Sequence, residues 1–396
     1  MRCVLIVLGL ALVLVPVGPA AAQRWVTSWV APGQQLATGA GGLGRDQTAR
    51  VIVRPSVWAT RARLRFSNAF GTTPLQIDSV YAGVQAGGAA LVPGTNKPVT
   101  FASKKTAVIP PGGQVWSDAV ILPATGPTLA VSLHWQGEAG TGHAHMPTTS
   151  YLTPAGAGAL GELEDEGAFS VPTAAVPLLD AVDIQSATDI PVVLCFGDSL
   201  TDVTTAIPNA RDRWTDVLER RLRATGFTGA VLNAGLAPDR SPGTRLDRDV
   251  FSLSGVTHVI WLYGADELAG SAATDTVRDG MTAQIRRIRE KLPRAKLILG
   301  TLPGADAPGR WPLNMQIRTL QADGMVPFDR ADAADPGSFG GQLAMGQAVD
   351  LRLLTGLPTA TRRPASRSAA SSPSAVSSPS AASSPSGASS PSGAPR

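Results

Sequence analysis

Around residues 185–191 the apolar residues change their period, and that change limits the folds open to the chain. From Arg24 to about Gln185, apolar and polar positions alternate. Arg61, Arg63 and Arg65 interleave with Ala62, Leu64 and Phe66, and Ala130, Ser132 and His134 with Leu129, Val131, Leu133 and Trp135. Such alternation belongs to strands with one apolar and one wet face. Pro93-Gly94 and Pro110-Pro111-Gly112-Gly113 separate the runs, so residues 23–188 are predicted to form an all-β sandwich. From Pro191 onward, apolar runs at 192–196, 230–232, 256–263, 296–301 and 325–328 are separated by helical stripes. Trp214, Val217, Leu218 and Leu222 make one stripe, and Val277, Met281, Ile285 and Ile288 another. This rhythm predicts an α/β domain over 189–358 with a five-stranded parallel sheet, its functional crevice at the carboxyl ends of the strands.

The two ends read differently. Residues 1–22 carry Arg2, an apolar stretch from Val4 to Val15 and Ala20-Ala21-Ala22, the pattern of a signal peptide. A secreted, periplasmic or cell-surface location is therefore expected, with no stable membrane span once the leader is cut. Cys195 is then the only cysteine left, so no disulfide is expected, and its place in an apolar run reads as core packing. The tail, 359–396, repeats Ser-Ser-Pro-Ser with little apolar bulk and is expected to be disordered. Of the formal net charge of +4, Arg2 leaves with the leader, and Arg362, Arg363, Arg367 and Arg396 lie in the tail. The body is left at −1, which does not support nucleic-acid binding.

The run Val192 to Asp202 breaks at Gly197-Asp198 and presents Ser199 on the turn after an apolar strand. A serine there attacks an ester carbonyl only with a base to take its proton and donors to hold the oxyanion. One histidine follows it, His258, inside an apolar run and better placed for the core than for catalysis.

Phe196-Gly197-Asp198-Ser199-Leu200-Thr201-Asp202 resembles the first block of the SGNH (GDSL-type) hydrolases, which are secreted esterases and lipases. Three front-half segments resemble a bacterial two-domain branch of that family: Trp25 to Trp29, Arg65 to Gly71, and Thr148-Thr149-Ser150-Tyr151. The resemblance implies a flavodoxin-like SGNH-hydrolase domain behind the β-sandwich, Ser199 as nucleophile, ester hydrolysis as the reaction, and no cofactor. The remaining machinery does not carry over. Asn233 to Asp239 resembles the second block with Pro238 where a glycine N–H donates, and proline has no N–H. Gly235 reads as a packing glycine. Gly264-Ala265-Asp266-Glu267 places Asp266 where an asparagine amide donates, and a carboxylate only accepts. The final Asp-x-x-His pair aligns with Ala333 and Pro336.

A substitute base is sought in His143 and His145, in the glycine-rich stretch Gly140 to His145. With no third ligand nearby they make no metal site, and a solvated loop is the expected setting. The sequence therefore predicts a pseudo-hydrolase that binds a glycan or an acylated ligand. The rivals are an active serine esterase on acylated carbohydrates or lipids, and a cell-surface spacer built on the Ser-Pro tail. Oligomeric state is not encoded in any motif.

Overall fold

A computed structural model describes residues 23–39, 43–239, 242–304, 307–331 and 335–355. The leader, Ala333 and the tail lie outside the described residues. Among the described residues no helix is long and apolar enough to cross a membrane.

The front part is all-β. One sheet runs Arg24–Val30, Leu179–Ser186, Arg61–Ser67, Val120–Ile121, and a larger one centres on Gln47–Val53, Leu129–Trp135 and Leu75–Gly87. The pairs at their centres are antiparallel, as alternation predicts. The polar faces of these strands, however, are wet only in part. Arg61 is exposed, Arg63 half-buried and Arg65 buried. Arg65 donates to Asp180 at 2.7 Å and to the Ser252 hydroxyl at 2.6 Å, so a segment of the α/β part covers that face. Ser132 and His134 are also buried. Arg50 donates to Ser132 and lies over Phe169, and His134 sits between Asp78 and Asp46 at 2.7 and 2.9 Å. Alternation marked the strands correctly. It could not show that the polar side chains were paired and roofed over.

The second part is the expected parallel sheet, in the order Ala230–Gly235, Val192–Gly197, His258–Leu262, Lys296–Gly300, Gly324–Val326. Both predicted stripes are the buried faces of helices, Trp214–Ala224 and Thr274–Lys291. Cys195 is fully buried, and burial pushes its thiol up, away from reactivity.

The architecture changes between Ser186 and Val192, yet the apolar side chains do not divide there. One cluster runs from Val26, Leu64 and Leu133 through Val193 and Trp261 to Phe328. A polar tie crosses the same boundary: Ser254 donates at 2.7 Å to Asp183, which also accepts from Thr27 at 2.8 Å and Arg63 at 2.7 Å within the sandwich. With the apolar core and a polar tie shared, we expect a single cooperative thermal transition by calorimetry. Two resolved transitions would show that the halves melt separately.

Candidate functional site

Ser199 stands at the carboxyl end of the interior strand Val192–Gly197, where the chain turns into a short helix, Ser199–Asp202. Gly197 is required at that turn, since a Cβ there would meet Thr201 Oγ1 at 2.2 Å and the Leu262 carbonyl at 2.5 Å. Asp198 fixes the turn. Its Oδ1 accepts from the Leu200 N–H at 3.1 Å, and its Oδ2 from those of Gly264, Ala265 and Asp266 at 3.1, 2.8 and 3.3 Å. The Asp198 carboxylate thus binds the serine turn to the Gly264-Asp266 turn, where Gly264 has a φ of 119° that suits glycine.

That tie delivers Asp266 to Ser199. The Ser199 hydroxyl donates to Asp266 Oδ1. Oδ2 of the same carboxylate accepts from the backbone N–H of Ser199 at 3.2 Å and from that of Asp239 at 2.8 Å. The aligned donor position, Pro238, contributes no N–H, but the next residue does. Ser199 is half-buried and Asp266 buried.

Asp239 is held in turn by Arg245, a buried arginine in ion pairs with Asp239 and, at 2.8 Å, with Asp249. Arg245 also donates to the carbonyls of Gly197 at 3.2 Å and Ala234 at 2.9 Å, and its guanidinium lies over the Phe196 ring. It therefore ties together the ends of two neighbouring strands. Neither Asp239 nor Arg245 was singled out from the sequence. Asp239 closes the second-block pattern, so that pattern was the signal available for it.

The chain's four histidines are all placed, and none hydrogen-bonds Ser199. His143 is not in a solvated loop. It is buried in the strand Thr141–His143, with Nδ1 on the Pro32 carbonyl at 2.9 Å and Nε2 on Asp202 Oδ1 at 3.0 Å. Both ring nitrogens are engaged, so in this arrangement His143 straps the sandwich to the serine helix and has no nitrogen free to serve as a base. His145 is exposed. His258 is buried on its strand against Thr257 Oγ1 at 2.8 Å. Gly235 is a packing glycine, because a Cβ would stand 2.2 Å from the Asp202 nitrogen. Pro336 lies in the loop before the helix Phe339–Ala348, where Gln342 donates to the Pro336 carbonyl at 2.6 Å and the Leu200 carbonyl at 3.5 Å. Among the described residues no group of three or more His, Cys, Asp or Glu side chains could hold a metal ion.

Residues 195–346 match the family model of the GDSL-like lipases and acylhydrolases. The α/β part of this chain is a GDSL-like lipase/acylhydrolase domain. No curated protein matches the chain. Similar solved structures include a member of the lipolytic protein G-D-S-L family from Veillonella parvula, at 14% identity, covering 40% of this chain and 95% of that one with a TM-score of 0.32. The acetylxylan esterase Axe2 from Geobacillus stearothermophilus is similar at 15% identity, covering 42% and 97%, with a TM-score of 0.33. An active-site mutant of a family two carbohydrate esterase from Clostridium thermocellum, solved with cellohexaose, is similar at 12% identity, covering 86% and 96%, with a TM-score of 0.36.

Two acidic groups of this GDSL-like domain, Asp198 and Glu267, are strongly perturbed. Burial, and after it the Asp266 charge, pushes Asp198 up to about 7. Burial first, then the charges of Asp198, Asp239 and Asp266, pushes Glu267 up to about 8. Burial opposes a charge on His143, but Asp202 and the two hydrogen bonds outweigh it and raise its pKa. Each of these groups holds its proton in the folded protein to higher pH than in the unfolded chain. Stability is therefore lost as pH rises, from about 4 through 7 for Asp198, from about 4.5 through 8 for Glu267, and above 6.5 for His143. His258, lowered to about 4 by burial and Lys296, works oppositely between pH 6.5 and 4. We expect the melting temperature to be about 5 °C or more higher near pH 5 than near pH 8. A scan that is flat, or that rises toward pH 8, would refute this assignment of protons.

Proposed function

We propose that this is an exported member of the GDSL-like family that binds a glycan or an acylated ligand at the carboxyl ends of its sheet without hydrolysing it. One observation carries the reading: the Asp266 carboxylate sits among the donors that an ester oxyanion would need. The N–H groups of Ser199 and Asp239 and the hydroxyl of Ser199 all point at it. A carbonyl oxygen entering there meets an acceptor in place of donors, and its developing negative charge is repelled. A carboxylate beside a serine hydroxyl does suit a ligand that brings its own O–H donors, as a sugar does. The esterase reading needs Asp266 to act as the base and also to vacate the two backbone donors. One side chain cannot do both at once.

A fluorophosphonate probe tests the proposal, because it reports serine nucleophilicity without a known substrate. The expected result is no labelling of Ser199 at neutral pH under conditions that fully label an active GDSL-type esterase. Stoichiometric labelling lost in Ser199→Ala would overturn the reading.

A further inference from the structure

A second site lies away from Ser199, where the sandwich meets the first long helix of the α/β part. A crevice of about 70 Å³ there is lined by Trp29, Arg54, Arg211, Arg213, Asp216 and Glu219, among others. It shares Arg54, Ser56, Arg211 and Glu219 with a wider crevice of about 650 Å³ that adds Arg220 and Arg223. Five guanidinium groups thus face two carboxylates.

The pairing within this set leaves positive charge over. Glu219 serves both Arg211, at 2.6 Å, and Arg223, at 3.3 Å, while Asp216 serves Arg213 at 3.1 Å. Arg220 donates to the Arg211 carbonyl at 2.6 Å. Arg54 has no carboxylate within ion-pair distance among the described residues, and its Nε is buried without a hydrogen-bond partner. Burial, and after it the charge of Arg211, lowers its pKa. A guanidinium half-removed from water beside another cation is stabilised by an anion, and its planar fork matches the oxygens of a carboxylate or sulfate.

We infer that this crevice binds the oxyanion group, a carboxylate or a sulfate ester, of an acidic polysaccharide. Arg54 grips the anion, and Arg211 and Arg220 extend the charge into the wider crevice. The rest of that wall, with Gln85, Thr128 and Ser56, supplies amide and hydroxyl partners for sugar hydroxyls. The aromatic side chain that lines the smaller crevice, Trp29, is buried, and the wider crevice has none, so little aromatic face is offered to a base. The inference does not depend on whether Ser199 is silent, since neither Ser199 nor Asp266 lines either crevice.

The test is calorimetric titration of the full-length protein with oligogalacturonate and with a heparin-derived oligosaccharide. A neutral cello-oligosaccharide and a single-stranded oligonucleotide of similar length serve as controls. We expect at least one acidic oligosaccharide to bind and neither control to do so. Arg54→Gln and, separately, the exposed Arg220→Gln should weaken that binding about tenfold or more at unchanged melting temperature, as expected for a lost charge-assisted contact. Lys105→Gln, which removes an exposed charge elsewhere, should not. Preference for oligogalacturonate assigns a carboxylate, and preference for heparin a sulfate. Binding that is unchanged from wild type in Arg54→Gln or Arg220→Gln, equal for neutral and acidic sugars, stronger for the oligonucleotide, or absent for both acidic probes would overturn the inference.

Discussion

The wild-type protein should hydrolyse short acyl esters no faster than buffer does, and Ser199→Ala should leave that background unchanged. In a working serine hydrolase one lost oxyanion donor costs about 10²–10³ in rate, and losing the base and its orienting carboxylate costs several orders more. Here Asp266 occupies the two backbone donors that remain, and no histidine reaches Ser199. These losses act as a unit, so Asp266→Asn alone should free the donors yet give under about tenfold over background, because the base is still missing. Pro336→His alone should do as little. The fourfold change Pro238→Gly, Asp266→Asn, Ala333→Asp and Pro336→His should rise by about 10² or more. Initial rates on p-nitrophenyl acetate decide the matter, and robust wild-type turnover abolished by Ser199→Ala would refute it.

The largest loss of stability should follow Arg245→Met. Removing that guanidinium leaves the Asp239 and Asp249 carboxylates buried and strips donors from the Gly197 and Ala234 carbonyls. Although burial works against its charge, Asp249 is held below the usual carboxylate range by Arg245 first and then Arg248, so its ionised form depends on them. Breaking a buried pair from one side typically costs about 3–5 kcal/mol, or roughly 6–10 °C of melting temperature in a protein of this size. Adding Asp239→Asn and Asp249→Asn to Arg245→Met should recover part of that loss, since fewer charges then lie unpaired. A single variant that melts within about 2 °C of wild type would show that Arg245 is not the clamp described.

The sequence made the parallel sheet legible because strands buried on both faces are apolar throughout, as at Val192–Gly197 and His258–Leu262. Ser199 was legible for a related reason: an apolar strand that ends in Gly-Asp-Ser has few other uses. The setting of His143 was not. Its glycine neighbours read as flexibility, whereas Gly142 is a glycine of close approach, where a Cβ would stand 2.3 Å from the Val176 carbonyl. Nothing local distinguishes the two kinds of glycine, since the contact is made by a segment more than thirty residues away. The Asp239 donor was hidden similarly. Proline at 238 has no N–H to give, but which neighbouring amide turns inward is a property of the folded backbone. Arg65 looked like the wet edge of a strand because Ser252, which covers it, belongs to the other half of the chain.

The apolar cluster that passes from the sandwich into the parallel sheet has a consequence for how such a protein can change over time. A binding module that is to be shuffled between proteins must fold after excision, and this sandwich would leave with Val26, Leu64 and the Arg63–Asp183 pair stripped of their cover. It is therefore poorly suited to being traded alone. For the same reason the GDSL-like half cannot be discarded alone, because it is the floor on which the sandwich stands. A protein built this way is retained or lost as a whole, whatever its Ser199 site does.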